Sequence, residues 1–221
     1  MKNYSVFDVL GPVMIGPSSS HTAGAARLGK VARGIIGEDF KRVEFYLHGS
    51  FAETYRGHGT DRALVAGILG MDTDDERLRN ALEIAESKGI DVKFIPTDLG
   101  DEHPNTVRMV FYLESGSVSE ITGSSIGGGN IIITDIDGEQ IEFTGIHPTL
   151  IIRQKDTVGL VSKISTLMVE NNIGIATMRM GTSGDDAFII LETDSEIPKK
   201  VVEDIEELPE VMYVKAINLQ N

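Results

Sequence analysis

The sequence predicts an α+β protein of two domains, and three observations support that prediction. Residues 1–146 mix helix-like and strand-like patterns without a repeating order, which indicates a mixed α/β domain. Residues 147–221 follow one regular order of strand, helix, two strands, helix and strand. That βαββαβ order within about 70 residues is typical of a ferredoxin-like sandwich. The segment TGIHPTLIIRQKD contains the boundary between the two domains.

The first domain is predicted to contain three helices, three strands and a hairpin. Its helical ranges are 23–36, 60–71 and 74–89, and its strand ranges are 42–50, 90–96 and 105–114. Thr60 is expected to cap the second helix, and Gly89 is expected to end the third. Asp137 and Gly138, between two β-rich runs, predict a tight hairpin turn.

In the second domain, each segment has the residue pattern of either one strand or one helix. Its strands are expected at 149–154, 174–183, 187–194 and 211–219, and its helices at 158–172 and 198–208. Pro198 stands near the first turn of the last helix, where proline is tolerated. These elements produce the βαββαβ order.

Composition excludes several classes of function. The chain has 221 residues, 41% of them hydrophobic, and a net charge of −14. Such a surface repels phosphate backbones, so nucleic acid is not an expected partner. No stretch approaches the roughly 20 apolar residues of a membrane span, and the first 16 residues do not resemble a signal peptide, so we expect a cytoplasmic protein without membrane contact. Because there is no cysteine, the chain has no disulfide, no thiolate nucleophile and no sulfur ligand for a metal cluster.

Four polar segments stand at junctions between loops and regular elements. They are GPSSSHT, HGSFAETYRGHGTDRA, EHPNTVR and GSSIGGGNI. Serine hydroxyls and free N–H groups at a helix start can bind a carboxylate or phosphate, and histidines can orient a substrate or move a proton. A Ser–His triad is disfavoured, because the neighbours Ser20 and His21 do not generally face each other and no Gly-x-Ser-x-Gly elbow is present.

Each polar segment also has a structural interpretation. A serine run taken alone is commonly a solvated loop or a helix cap. His48 at a strand end and His147 beside Pro148 are typical of structural positions, and HPN around His103 is typical of a turn. His58 between two glycines is different, because a polar ring on a glycine loop is well placed to reach a ligand.

The segment KDTVGLVSKI resembles the opening of an ACT domain. Asp156, Gly159 and Leu160 match the acidic residue, glycine and leucine of that opening, whereas Val158 stands where the family commonly has proline. The resemblance implies a module that self-associates and often senses amino acids, with these three matched residues at an effector site or interface. A helix cap inside a dimerisation module is the alternative interpretation.

The segments SVFDVLGPVMIGPSSSHTAGAARLG and GHGTDRA resemble the β subunit of the two-chain, iron–sulfur-dependent L-serine dehydratases. The first domain is also similar to a regulatory domain of some phosphoglycerate dehydrogenases. The resemblance implies deamination of L-serine to pyruvate and ammonia with a [4Fe–4S] cluster. Because cluster ligands are thiolates, it implies that the α subunit carries the cluster and that this chain is inactive alone.

The resemblance also implies roles for particular residues, with no metal ligand among them. The catalytic candidates are His21, His58 and His103. The substrate-binding candidates are Ser18, Ser19, Ser20, Thr22, Thr60 and Asn105. Which group acts as the base stays open.

Two other functions fit parts of the sequence. GSSIGGGN could cradle the phosphate of pyridoxal phosphate in another type of serine dehydratase, but no lysine stands in a setting that matches a Schiff base. A non-catalytic amino-acid sensor, with the ACT module as its receptor, would need no second chain.

Overall fold

The computed structural model describes residues 14–183 and 186–218. Residues 5–13 of the segment that resembles the dehydratases, and Gly184 and Asp185 of the last predicted turn, lie outside the described residues. The chain divides into two compact units, Met1–Thr144 and Gly145–Asn221.

The first unit has four α-helices among its described residues, and a π-helical turn precedes the first of them. A π-helical turn, Ser19–Gly24, runs directly into the first α-helix. The α-helices are α1 (Ala25–Ile36), α2 (Gly49–Thr54), α3 (Thr60–Ile68) and α4 (Ala81–Ser87), and a 3₁₀ turn (Glu76–Asn80) precedes α4. The range predicted as one helix at 74–89 is therefore a 3₁₀ turn followed by a short α-helix. Helix α2 was not predicted.

Six strands of the first unit form one mixed sheet. They are β1 (Phe40–Leu47), β2 (Asp91–Pro96), β3 (Thr106–Leu113), β4 (Val118–Gly127), β5 (Asn130–Ile136) and β6 (Glu139–Phe143), in the spatial order β2-β1-β3-β4-β5-β6. β1 and β2 are parallel, and the other neighbours are antiparallel. Asp137 and Gly138 both have positive φ in the β5–β6 turn, so the predicted hairpin is confirmed.

Helices α1 and α3 cross at two glycines. A Cβ at Gly29 would collide with the carbonyl oxygen of Leu64, and a Cβ at Gly67 would collide with the carbonyl oxygen of Ala26. The two backbones therefore approach as closely as they do because neither position has a side chain. The helices bury Leu28, Val31 and other apolar residues in the core of this unit.

A polar network lies on strands β1 and β3. The buried carboxylate of Glu44 accepts hydrogen bonds from Tyr46 and Tyr112, each at 3.0 Å, and pairs with Arg42. Arg108 stacks over the ring of Tyr46. This network links β1 to β3, and of its residues only Arg108 belongs to one of the four polar segments.

The second unit has the predicted βαββαβ order. Its elements are β7 (Thr149–Lys155), α5 (Leu160–Glu170), β8 (Ile175–Ser183), β9 (Asp186–Thr193), α6 (Lys199–Glu206) and β10 (Val211–Ile217). The antiparallel sheet has the order β10-β7-β9-β8, and its core includes Leu150, Ile164 and Ile205. The α+β fold class with a ferredoxin-like second unit is confirmed.

Candidate active site

The π-helical turn directs two polar side chains inward. The Ser18 hydroxyl accepts the backbone N–H of His21 at 3.3 Å and so caps the turn. His21 is 8% exposed and Thr22 is 1% exposed, whereas Ser19 and Ser20 are half-buried. π-Helical turns are rare in proteins. Those that do occur are frequently found at functional sites.

Two hydroxyls and two rings surround His21. Nδ1 lies 3.3 Å from the Ser18 hydroxyl, and Nε2 lies 3.0 Å from the hydroxyl of Ser50 on α2. The rings of His58 and Phe51 pack edge-on at centroid distances of 4.7 and 5.3 Å. Two of the three predicted catalytic histidines, His21 and His58, are therefore brought together. Ser50 and Phe51 lie in the polar segment HGSFAETYRGHGTDRA but were not among the predicted site residues.

Burial sets the charge of His21. Burial lowers the pKa of His21 from the ordinary histidine value, and the nearby His58 lowers it further, while a hydrogen bond with the backbone of Ser50 opposes both. The imidazole is therefore neutral at pH 7. The His58 side chain is exposed, so the pair combines one sheltered ring with one accessible ring.

The loop that carries His58 is tied to the π turn. The Thr22 hydroxyl donates to the carbonyl oxygen of His58 at 3.4 Å. Gly59 precedes α3 in the left-handed conformation, and Thr60 is the first residue of the helix. The prediction that Thr60 caps this helix was wrong, because Gly59 occupies the cap position. Thr60 is fully buried, and within the described part of the chain its hydroxyl has no hydrogen-bond partner.

The other side of the π turn packs against strand β4. The hydroxyl of Ser125 occupies the space that a Cβ at Gly24 would need. Asn105 accepts the backbone N–H of Ser125 at 3.0 Å and donates through its side-chain amide to the Ser125 carbonyl at 3.5 Å. Among the described residues, neither Asn105 Oδ1 nor the Ser125 hydroxyl has a hydrogen-bond partner. Buried polar atoms without partners are uncommon and are typical of sites that a ligand completes.

His103 lies beside this cluster rather than in it. Its ring is exposed, and Nδ1 accepts the backbone N–H of Asn105 at 3.1 Å. The turn packs on the start of α2, where the Phe51 N–H donates to the Pro104 carbonyl at 3.3 Å. The structure thus gives His103 a bond within its own turn, and its catalytic role stays a prediction.

Arg27 was not predicted as a site residue. It is half-buried, and its Nη1 donates to the carbonyl of Gly129 at 3.5 Å, in the glycine-rich segment between β4 and β5. Burial lowers the pKa of Arg27 from the usual arginine value, although arginine stays charged at physiological pH. In the described part of the chain no carboxylate forms an ion pair with Arg27. Because its hydrogen-bond partner Gly129 lies far along the chain, local sequence patterns do not identify Arg27 as a site residue.

The described residues contain neither a metal-binding cluster nor a helix that could span a membrane. Over 14–183 and 186–218, no three histidine or acidic side chains are grouped as they would be to hold a metal ion. Over the same ranges, no helix has the length and apolar composition needed to cross a membrane.

The first helix of the second unit starts in an open loop. Asp156, Val158 and Gly159 are exposed, and Gly159 has a φ of 100° with no atom near its absent Cβ. Leu160 is 1% exposed and packs in the core of the unit, and its place at an effector site or interface stays a prediction. Only Asp156 and Gly159 of the three predicted effector or interface residues are accessible.

Comparisons with known proteins agree with this architecture. The family model described as serine dehydratase beta chain matches residues 5–88, and the ACT domain model matches residues 148–210. A Bacillus subtilis protein named probable L-serine dehydratase, beta chain, is 42% identical over 98% of this chain and 99% of its own length. This chain belongs to the L-serine dehydratase beta-chain family.

Other relatives match this chain over different shares of their own length. The L-serine dehydratase beta chain of Peptoniphilus asaccharolyticus is 43% identical over 93% of this chain and 92% of its own length. The D-3-phosphoglycerate dehydrogenase of Bacillus subtilis is 25% identical over 88% of this chain, which corresponds to 37% of that enzyme. The dehydratase beta chains therefore match nearly end to end, whereas the phosphoglycerate dehydrogenase matches over a part of its length.

Proposed function

We propose that this chain is the β subunit of an L-serine dehydratase and forms one wall of a site that converts L-serine to pyruvate and ammonia. The observation that carries the proposal is the pairing of buried His21 with exposed His58, beside buried polar atoms that lack hydrogen-bond partners among the described residues. The names of the two nearly full-length relatives support it. L-serine is small and polar, and such a ligand would supply the missing hydrogen bonds.

The chemistry of the site divides among its residues. The ring of His58 is exposed, and its centroid lies 4.7 Å from the ring centroid of His21. His58 is therefore the histidine placed to exchange a proton with a substrate. Arg27 carries the positive charge that the substrate carboxylate needs. Ser18, Ser19, Ser20, Thr22, Thr60 and Asn105 provide the polar lining. The role of His103 is proposed on the sequence alone.

The iron–sulfur cluster does not fit the residues of this chain. Clusters are held chiefly by cysteine thiolates, and the sequence has no cysteine. No cluster of metal-binding side chains replaces them among the described residues. We therefore propose that the α subunit of a cytoplasmic complex holds the [4Fe–4S] cluster.

The experiment is anaerobic coexpression with a cysteine-containing α subunit, followed by measurement of pyruvate and ammonia from L-serine. The complex should form both products in equal amounts, and each subunit alone should form neither. Pyruvate formation by the α subunit at the same rate with and without this chain would contradict the proposal.

The second unit is proposed to promote association of two copies through its ACT module. Its two exposed candidates, Asp156 and Gly159, stand at the helix start. Sedimentation of the isolated chain should show a dimer or larger species, and a strictly monomeric profile would contradict this part. An amino-acid sensor without catalysis is the alternative, and ligand binding without any turnover in the complex would favour it.

A further inference from the structure

Ser50 occupies a position that the proposed function leaves without a role. It is the second residue of α2, and its hydroxyl lies 3.0 Å from Nε2 of His21. Its place is well fixed: the Phe51 N–H is shared between the carbonyls of His48 and Pro104, and the Thr54 hydroxyl donates to the Ser50 carbonyl at 2.7 Å. The hydroxyl therefore meets the ring of His21 from a rigid backbone.

The opposite nitrogen of the ring meets Ser18. The Ser18 hydroxyl accepts the backbone N–H of His21 at 3.3 Å, and the same oxygen lies 3.3 Å from Nδ1. A backbone N–H can only donate, so this bond uses a lone pair and leaves the hydroxyl hydrogen free for Nδ1. When Nδ1 accepts that hydrogen, the neutral ring carries its own proton on Nε2 and donates it to Ser50.

The packing of the rings keeps this arrangement in place. Phe51 and His58 stand edge-on to the imidazole of His21, at interplanar angles of 69° and 81°. With a hydroxyl at each nitrogen and a ring on each of two sides, the imidazole has one orientation. Its fixed ring is also the surface against which His58 packs.

We propose that Ser50 is a positioning residue of the site: it holds His21 as the Nε2-protonated tautomer and keeps its own hydroxyl hydrogen for an oxygen of the amino-acid substrate. The first half concerns this chain alone. The second half rests on the proposed function, since it needs a substrate.

The first half is tested by ¹⁵N NMR of the imidazole nitrogens in the full-length chain at pH 7. The wild-type chain should show His21 as a single neutral tautomer protonated on Nε2. Ser50→Ala should give a mixture of tautomers, and Ser50→Thr, which keeps a hydroxyl, should restore the single form. Ser87→Ala removes a hydroxyl that donates to the Ile84 carbonyl within α4, and it should leave the His21 resonances unchanged. If the His21 imidazole of the wild-type chain is protonated on Nδ1, this result alone overturns the proposal.

The second half is tested by turnover of the assembled complex. Loss of a positioning contact should lower kcat about 10- to 100-fold in Ser50→Ala, with a change in KM below about 5-fold. Ser50→Thr should recover most of kcat, and Ser87→Ala should stay within about 2-fold of wild type. A Ser50→Ala complex with wild-type kcat would refute the role. If the wild-type complex makes no pyruvate, the proposed function fails, and with it the substrate half of this proposal, while the NMR result still decides the tautomer.

Discussion

Both units place a glycine at the start of a helix, but the surroundings of the two glycines differ. Gly24, before α1, is buried with an ordinary helical φ of −62°, and Ser125 fills the space beside it. Gly159, before α5, is exposed with a φ of 100° and open space around it. The first glycine is required by close packing and the second by backbone conformation. The polar, partly unsatisfied cluster lies beside the first.

The sharpest test of this contrast is His58→Ala. The exposed ring is the proton-transfer group of the proposed site, so its loss should lower kcat of the complex by at least about 100-fold. Pyruvate release from L-serine, with complex formation followed by gel filtration, measures the effect.

The matched control is His147→Ala, an exposed histidine of the second unit. It should leave kcat within about 2-fold. A His58→Ala complex as active as the control would return His58 to a structural role.

The next largest effect is expected from Gly24→Ala. The added methyl group would collide with the Ser125 side chain, so the π turn must shift, and we expect a loss of about 1–3 kcal/mol in the free energy of unfolding together with most of the turnover. Urea denaturation of the full-length chain measures the first effect, and the pyruvate assay measures the second.

Gly181→Ala serves as its control, because Gly181 has open space around its Cβ position. The Ser125→Gly change in the Gly24→Ala background should restore part of the stability. No rescue would mean that the clash lies elsewhere.

A smaller effect is expected from Glu44→Gln, which weakens the sheet that supports the site without touching the site. Burial raises the pKa of Glu44, but hydrogen bonds from Arg42, Tyr112 and Tyr46 outweigh it, so the pKa lies below the ordinary value. The ionised carboxylate therefore stabilises the folded chain above the ordinary pKa, and this stability is lost as the pH falls through the lowered one.

Denaturation at several pH values tests this network. Glu44→Gln should cost about 1 kcal/mol at pH 7, and its difference from wild type should shrink towards pH 3. A difference that is constant with pH would show that the charge of Glu44 is not the cause.

The smallest effect on turnover is expected from Gly159→Ala. A φ of 100° is strained for alanine, so the second unit should lose about 1 kcal/mol of stability. Because none of the proposed catalytic or substrate-binding residues belongs to the second unit, kcat at saturating L-serine should stay within about 2-fold of wild type. A large loss of kcat would move part of the chemistry, or its control, to the second unit.

Sequence patterns predicted most of the second unit, because its strands and helices carry regular apolar spacing and its turns are short. Sequence patterns alone did not pair His21 with His58, which the resemblance to the L-serine dehydratase β subunits put among the catalytic candidates. They did not predict the π turn, helix α2, Ser50 or Arg27. Each of these depends on contacts with distant parts of the chain: the π turn on Ser125, α2 on Pro104, Ser50 on His21, and Arg27 on Gly129. The spacing of residues within a short segment does not predict contacts with residues far along the chain.

The most direct measurement is a titration of this chain into a constant amount of α subunit with an intact cluster, under anaerobic conditions and saturating L-serine. If this chain forms one wall of the site, pyruvate release should rise from near zero and saturate at a fixed ratio of the two chains. The His58→Ala chain should reach the same stoichiometry of binding with almost no pyruvate. Release that does not depend on added chain, or that the His58→Ala chain supports equally well, would contradict this.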